Sequence, residues 1–198
     1  MKLALALSLV LAAADARAYT KTEEYRVHRV RGWTVLIAPE VQARPDEENQ
    51  ALAFIDQKLG DIDRLVPRAA AAALRNVKIW VEWEHTDEAS TYHPSAEWLR
   101  QHDYNPEKEH SVEVANLRHF LDWGRSDQPM ILLHEMSHAY HNAVLGDGDA
   151  RVLGAYQHAL ESGLKRAYAL TNEREFFAEL EKYDPQGFAM IESAWGVR

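Results

Sequence analysis

The sequence predicts a single α+β domain. Segments with the alternating pattern of β-strands come early in the chain, and segments with the three-to-four spacing of amphipathic helices come late. The chain has 198 residues, which suits one domain with a sizeable core. We find no internal repeat, low-complexity tract or second domain in it. Because strands and helices are segregated rather than alternating, we expect α+β architecture with a small mixed sheet.

Residues 1–18 differ from the rest and read as a secretory signal peptide. Lys2 precedes an apolar run over 3–13, and Ala16-Arg17-Ala18 matches an A-x-A cleavage signal. The alternative is an uncleaved membrane anchor, but the apolar run is short for a membrane span. We therefore expect one domain over 19–198, secreted or periplasmic, with no membrane span in the mature chain.

The charge of the chain argues against nucleic acid as a partner. The formal net charge is −9, and removal of a segment carrying Lys2, Asp15 and Arg17 takes it to −10. Without clusters of Lys or Arg, such a chain binds phosphate backbones poorly. We expect a peptide or protein partner instead. The absence of cysteine is compatible with export. The sequence makes no prediction of the oligomeric state.

The first half of the chain predicts a strand hairpin followed by helices. Residues 22–41 read as two short strands that turn near Arg31-Gly32. Pro45 opens a helix that runs to Val66, and the alanines at 69–73 predict a short packed helix. The long helix carries apolar residues at three-to-four spacing: Leu52, Ile55, Leu59, Ile62 and Val66.

The middle of the chain predicts two strands and a short helix, and the last third is helical. Residues 77–84 alternate between apolar and polar positions, as a half-buried strand does. Residues 93–101 read as a short helix beginning at His93-Pro94, and 111–117 as another strand. After a turn at 124–130, the predicted helices are 129–145, 149–162, 172–183 and 185–195.

The helix over 129–145 carries an H-E-x-x-H motif. His134 and His138 lie four residues apart, on one helix face, so both can hold one zinc ion. Glu135 is then placed to take a proton from water activated by that ion. The motif also arises by chance, but the surrounding apolar residues predict a buried helix, where histidines need partners. We therefore favour a metal site over a decorated core helix.

His141 is excluded as the third zinc ligand by helix geometry. Two turns of helix separate it from His134 by about 10 Å along the axis, which is too far for both to bind one zinc ion. We expect His141 to line a substrate cleft or to form a hydrogen bond. A metzincin site is excluded as well, because Val144 occupies the position of its third histidine.

The third ligand must come from farther along the chain. In the predicted helix over 172–183, Glu175 and Glu179 share a face. Asn172 followed by Glu175 also resembles a capping box, so Glu175 is either a ligand or a cap, and spacing does not decide between them. The acidic and histidine candidates are Asp147, Asp149, His158, Glu161, Glu173, Glu175 and Glu179.

The two motifs together resemble the gluzincin zinc peptidases. The residues that carry the resemblance are H-E-x-x-H at 134–138, Tyr168 and T-N-E-x-E-F-F-A-E at 171–179. The pattern is similar to that of the catalytic domain of anthrax lethal factor and of the secreted Pro-Pro endopeptidases. The resemblance implies a zincin-like domain with an active-site helix. Because it covers only 129–183, it does not imply a substrate preference.

The resemblance also implies roles for individual residues. It makes His134, His138 and Glu175 the ligands of one Zn²⁺, with Glu135 as the general base. Tyr168 would help to stabilise the oxyanion, although it also fits a packed aromatic residue before a helix. Four residues after Glu175, the Glu179 carboxylate could orient His138 or His134 by accepting a hydrogen bond from its ring.

A peptide substrate is expected to add a strand to an exposed sheet edge. Residues 112–116 are the candidate edge, so Val114 and Asn116 join His141 as expected substrate-binding residues. An interior position for this strand is the alternative.

The function these residues favour is that of a secreted zinc-dependent endopeptidase. One alternative is a zinc-stabilised peptide-binding module without turnover, although a structural zinc site needs neither Glu135 nor Tyr168. Another is a metal-dependent amide hydrolase that acts on cell-wall peptides.

Overall fold

The computed structural model describes residues 19–161 and 171–183, which form an α+β domain as predicted. Among these residues, five strands form one mixed sheet in the order β1-β2-β3-β5-β4. The strands are β1 (Arg26–Val30), β2 (Trp33–Ile37), β3 (Ile79–Val81), β4 (Thr91–His93) and β5 (Ser111–Val114). The β2, β3 and β5 strands run parallel to one another, and β1 and β4 are antiparallel to their neighbours.

Helices cover this sheet and surround the main core. They are α1 (Pro39–Gln42), α2 (Pro45–Leu65), α3 (Arg68–Leu74), α4 (Ala96–Gln101), α5 (Leu117–Arg125), α6 (Ile131–Tyr140), α7 (Ala150–Glu161) and α8 (Glu173–Tyr183). Two 3-10 turns lie at Thr22–Glu24 and Pro106–Lys108, and a π-helical turn at His141–Leu145 extends α6. Within the described ranges, no helix has the length and apolar composition needed to cross a membrane.

The hairpin of β1 and β2 confirms the predicted turn. Val30 pairs with Trp33, so Arg31 and Gly32 form a two-residue loop. Both have positive φ angles, 48° and 89°. Two-residue hairpin loops favour such angles because they match the twist of the strands, and glycine adopts them without steric cost.

The predicted helices α2 and α3 are also present, with bounds close to the expected ones. By contrast, α5 was not predicted. Asn116 begins it, accepting a hydrogen bond from the backbone N–H of His119 at 3.1 Å. The α5 helix packs closely at Gly124, where an added Cβ would lie 2.8 Å from Phe54 Cζ.

The strand predicted over 77–84 is present, but it is shorter than expected and is fully buried rather than half-buried. In the structure β3 lies between β2 and β5, and its three residues are all buried. Trp80 packs edge-on against Tyr25 at a ring-centroid distance of 4.8 Å. Glu82, just beyond the strand, is buried too. The sequence pattern is that of one apolar face and one polar face, but Trp80 and Glu82 of the second face are covered by other parts of the chain, and only Lys78 and Glu84 at its ends are exposed.

The expected edge strand over 112–116 is also an interior strand. The β5 strand pairs with β3 on one side and β4 on the other, so β4 occupies the edge. The sequence predicts His93 at the start of a helix, whereas in the structure His93 ends β4. The helix begins later, where Ser95 Oγ accepts a hydrogen bond from Trp98 N at 3.2 Å.

A buried ionic network ties the sheet to the Pro106–Lys108 turn. Lys108 Nζ donates to Glu82 Oε1 and to Glu113 Oε1, each at 2.6 Å. Glu113 has no exposed surface, and its two oxygens also contact His85 Nδ1 at 2.9 Å and His93 Nε2 at 2.5 Å. Because each buried charge has opposite charges or hydrogen-bond donors around it, the network is tolerated in the interior.

This network predicts loss of stability in acid. Burial alone would raise the pKa of Glu113, but hydrogen bonds with His85 and His93 and the charge of Lys108 hold it well below its ordinary value. The unfolded chain binds this proton near pH 4.3, so the stabilisation is present above about pH 4.3 and lost below it, at up to about 1.4 kcal/mol per pH unit. Urea unfolding between pH 6 and pH 3 measures this slope. In Glu113→Gln the dependence of the unfolding free energy on pH should be weaker by up to about 1.4 kcal/mol per pH unit, which corresponds to one bound proton. Equal slopes in the two proteins would contradict the prediction.

The last third of the chain is organised around α6. This helix begins at Ile131 rather than at Pro129, whose carbonyl oxygen accepts a hydrogen bond from Lys58 Nζ at 2.7 Å. It contacts β4, β5 and α8, among other elements, and the turn that extends it ends at Gly146, where φ is 81°. The predicted signal peptide at 1–18, Tyr168 and the helix predicted at 185–195 lie outside the described residues.

Candidate metal centre

Two histidines project from one face of α6. Their four-residue spacing places the rings one turn apart, and His134 Nε2 lies 3.1 Å from His138 Nε2. The rings are almost perpendicular, at 86°, with centroids 4.7 Å apart. The two nitrogen atoms thus converge on one point beside the helix.

The third group comes from α8. Glu175 Oε2 lies 3.4 Å from His134 Nε2 and 3.6 Å from His138 Nε2. These three residues form a group that could hold a metal ion. The predicted convergence of His134, His138 and Glu175 is therefore present in the structure.

Asn172 caps the start of α8, as its position three residues before Glu175 predicts. Asn172 Oδ1 accepts hydrogen bonds from the backbone N–H groups of Arg174 and Glu175, at 2.9 and 3.0 Å. Two backbone N–H groups of the first helical turn are thus satisfied by an asparagine side chain. The Glu175 carboxylate is directed at the two imidazoles.

The electrostatics of the group favour a cation. Burial by itself raises the pKa of Glu175, but polar contacts with His134 and His138, together with their charges, bring it well below its ordinary range. Glu175 is therefore ionised at neutral pH. A carboxylate facing two imidazole nitrogen atoms is a donor set that suits a divalent metal.

Glu135 lies beside the group and is 7 % exposed. Burial raises its pKa, and the charges of His134 and His138 act in the opposite direction. Ser90 Oγ donates a hydrogen bond to Glu135 Oε1 at 3.1 Å, which also favours the ionised form. A carboxylate in such a position can exchange a proton with a molecule in the neighbouring cleft.

One cleft, with a volume of about 1220 Å³, is lined by the three residues of the metal group and by Glu135. Part of its wall comes from the edge strand β4 and the residues just before it. Tyr92 of this strand donates a hydrogen bond to Asn142 Oδ1 at 3.0 Å, linking the edge strand to the π-helical turn. Trp123 and Ile131 contribute apolar surface elsewhere in the cleft.

His141 also borders the cleft, but it does not belong to the metal group. Its side chain is enclosed, with 2 % of the residue exposed, and its ring lies 5.4 Å from that of Phe177. Within the described part of the chain, neither ring nitrogen has a hydrogen-bond partner. Burial lowers the pKa of His141, so the imidazole is neutral at pH 7.

Val114 and Asn116 do not line the cleft, contrary to the expectation for substrate-binding residues. Val114 is fully buried in β5. Asn116 is committed at both ends of its amide, since Oδ1 accepts from His119 N and Nδ2 donates to the Thr86 carbonyl oxygen at 3.0 Å. The expectation fails because β5 is an interior strand. Its backbone is paired with strands on both sides, so a bound peptide cannot pair with it.

Two further expected residues cannot be placed. Tyr168 lies outside the described residues, and Glu179 belongs to α8 but its side chain is likewise undescribed. Sequence reasoning missed Ser90, which lines the cleft from the residue just before the unpredicted strand β4. An S-T-Y-H stretch ahead of a proline was the one available signal for that strand.

Comparisons with known proteins add no family to these observations. No protein-family model matches the chain. No curated protein matches it, and no solved structure matches it.

Proposed function

We propose that this protein is a secreted zinc-dependent endopeptidase of the zincin-like, gluzincin type. The observation that carries the proposal is the convergence of His134, His138 and Glu175 from two helices, beside Glu135, on one open cleft. A site with three protein ligands leaves a position for substrate or water, as catalytic zinc sites do. The signal-peptide pattern of residues 1–18 supports export.

The spacing of the three ligand atoms fits zinc. In a tetrahedral site with ligands at about 2.0–2.1 Å, two ligand atoms lie about 3.3–3.4 Å apart. The distances here are 3.1, 3.4 and 3.6 Å. Two imidazoles also argue against calcium or magnesium, which prefer oxygen ligands.

Within this proposal Glu135 moves the protons. A zinc ion held by the three ligands would supply Lewis acidity, which polarises the scissile carbonyl and makes water in the cleft more acidic. The Glu135 carboxylate accepts a proton from the attacking water and then delivers it to the leaving amine nitrogen. The resemblance to gluzincins gives Tyr168 the part of hydrogen-bond donor to the developing oxyanion.

We assign peptide binding to β4 rather than to β5. The β4 strand is an edge of the described sheet, it contacts α6, and Thr91 and Tyr92 line the cleft. An extended peptide that pairs with this edge would use main-chain hydrogen bonds and would pass in front of the metal group.

The test is cleavage of a diverse peptide library by the protein beginning at Tyr19. The zinc-loaded protein, the metal-stripped protein and the stripped protein with zinc restored are compared, and mass spectrometry identifies the cuts. Cuts that disappear with the metal and return with zinc support the proposal. A folded, zinc-loaded protein that cleaves no peptide would refute it and favour a binding module or an amide hydrolase acting on cell-wall peptides.

His141→Leu separates a substrate-binding role from a purely structural one. Because the buried imidazole has no hydrogen-bond partner among the described residues, we expect an apolar side chain to leave the free energy of unfolding unchanged or to raise it by about 1 kcal/mol. If His141 contacts substrate, KM for the best library peptide rises in the same variant. Urea unfolding and peptide kinetics measure the two effects, and an unchanged KM would remove His141 from the substrate site.

A further inference from the structure

The part of the cleft wall that precedes β4 holds Ser90 in a fixed position. The preceding residue, Ala89, is buried, and its carbonyl oxygen accepts hydrogen bonds from the backbone N–H groups of Ala115 and Asn116, at 3.1 and 3.4 Å. Thr91 follows Ser90 and begins β4, where it is paired with Glu113 of β5. The backbone is therefore anchored to the sheet on both sides of Ser90.

From this anchored position, Ser90 reaches across to the active-site helix. Its hydroxyl donates to Glu135 Oε1 at 3.1 Å, a contact between residues 45 apart in the chain. A glutamate side chain has several rotatable bonds, and a buried one is placed by the groups it contacts. A hydroxyl has one proton to donate, so the bond engages one carboxylate oxygen and leaves Oε2 for other partners.

We propose that Ser90 is a positioning residue for Glu135. Its hydroxyl holds Oε1 against the β4 side of the cleft and so turns Oε2 toward the water that Glu135 deprotonates. This inference rests on the proposed hydrolase function. In it, Ser90 touches neither metal nor substrate and acts through Glu135 alone.

The effect of Ser90 should fall on the chemical step. A carboxylate that is free to rotate populates the productive orientation less often, and loss of such an outer hydrogen bond typically costs about 10–100-fold in activity. Substrate is bound by other groups, so KM should not change. The metal ligands are also untouched, so zinc affinity should not change.

The experiment compares Ser90→Ala and Ser90→Thr in the zinc-loaded protein. We expect kcat to fall by about 10–100-fold in Ser90→Ala, with KM and zinc affinity unchanged, and to recover largely in Ser90→Thr, which keeps the hydroxyl. Ser111→Ala is the matched control, because Ser111 is a buried serine of the same sheet that bonds a backbone carbonyl of Glu109 instead. This control should keep the activity of the parent protein.

Two results would overturn the inference while leaving the hydrolase intact. One is an unchanged kcat in Ser90→Ala. The other is a loss that Ser90→Thr does not restore and that comes with equal losses of melting temperature and zinc affinity, since this indicates a structural role. Crystal structures of the zinc-loaded parent protein and Ser90→Ala give a readout independent of turnover. The Glu135 carboxylate should change orientation in the variant, and an unmoved carboxylate would refute the inference even if no cleaved peptide were found.

Discussion

Glu135→Gln is expected to abolish peptide cleavage while leaving zinc bound. Glutamine keeps the shape of the side chain and can still accept the hydrogen bond from Ser90, but it cannot take a proton from water. Loss of a general base typically costs about 100- to 10,000-fold in rate. The three residues that we propose as zinc ligands are unchanged, so zinc content should equal that of the parent protein. Peptide kinetics and metal analysis of the same preparation measure both quantities.

Glu161→Gln provides the control for this substitution. Glu161 is an exposed residue on α7 and does not line the cleft, so the same loss of charge there should leave turnover unchanged. Cleavage by Glu135→Gln at the parent rate would remove Glu135 from the mechanism. Zinc loss from Glu135→Gln would indicate instead that the carboxylate supports the metal group.

Local patterns were sufficient for elements whose residues are close in the chain. The Arg31-Gly32 turn identified the first hairpin, and apolar spacing identified α2. Patterns failed where a partner distant in sequence decides the environment. Glu82 alternates with apolar residues as a solvent-facing residue would, but Tyr25 OH, 57 residues away, and Lys108 enclose its carboxylate.

The spacing of apolar residues also could not predict whether a strand lies at the edge or in the interior of the sheet. The β4 strand has only three residues, and Pro94 after it suggested a helix start rather than a strand end. Without β4, residues 112–116 have the position of an edge strand. Pairing of β4 with β5 makes β5 interior and moves the expected peptide-binding edge to Thr91 and Tyr92.

In the candidate metal centre, too, some features follow from local sequence and others depend on the fold. The spacing of His134 and His138 is a property of one helix, so the sequence predicts it directly. Glu175 lies on another helix, and its spacing from Asn172 fits a cap as well as a ligand. The contacts between α6 and α8 add what spacing lacks, because they bring the Glu175 carboxylate to the two imidazoles. No pattern connects Ser90 with Glu135, since that contact depends on the fold.

Glu175→Ala tests the same distinction by experiment and is expected to weaken zinc binding by at least about 100-fold. Loss of a group outside the ligand shell typically costs about 10–100-fold in metal affinity, and loss of a ligand should cost more. Asn172 keeps the hydrogen bonds that begin α8, so the helix should remain in place. Competition with a chelator measures the zinc affinity, and circular dichroism monitors the helix.

Glu173→Ala is the matched control, because Glu173 lies in the first turn of the same helix and is not part of the metal group. If Glu175 only capped α8, zinc affinity and stability would respond differently. Its replacement would leave zinc affinity unchanged and would lower the free energy of unfolding by about 1 kcal/mol, as loss of a capping interaction does. Weak zinc binding in Glu175→Ala with normal binding in Glu173→Ala would therefore identify the carboxylate at 175 as a ligand. Equal affinities in the two variants would require a third ligand from another part of the chain.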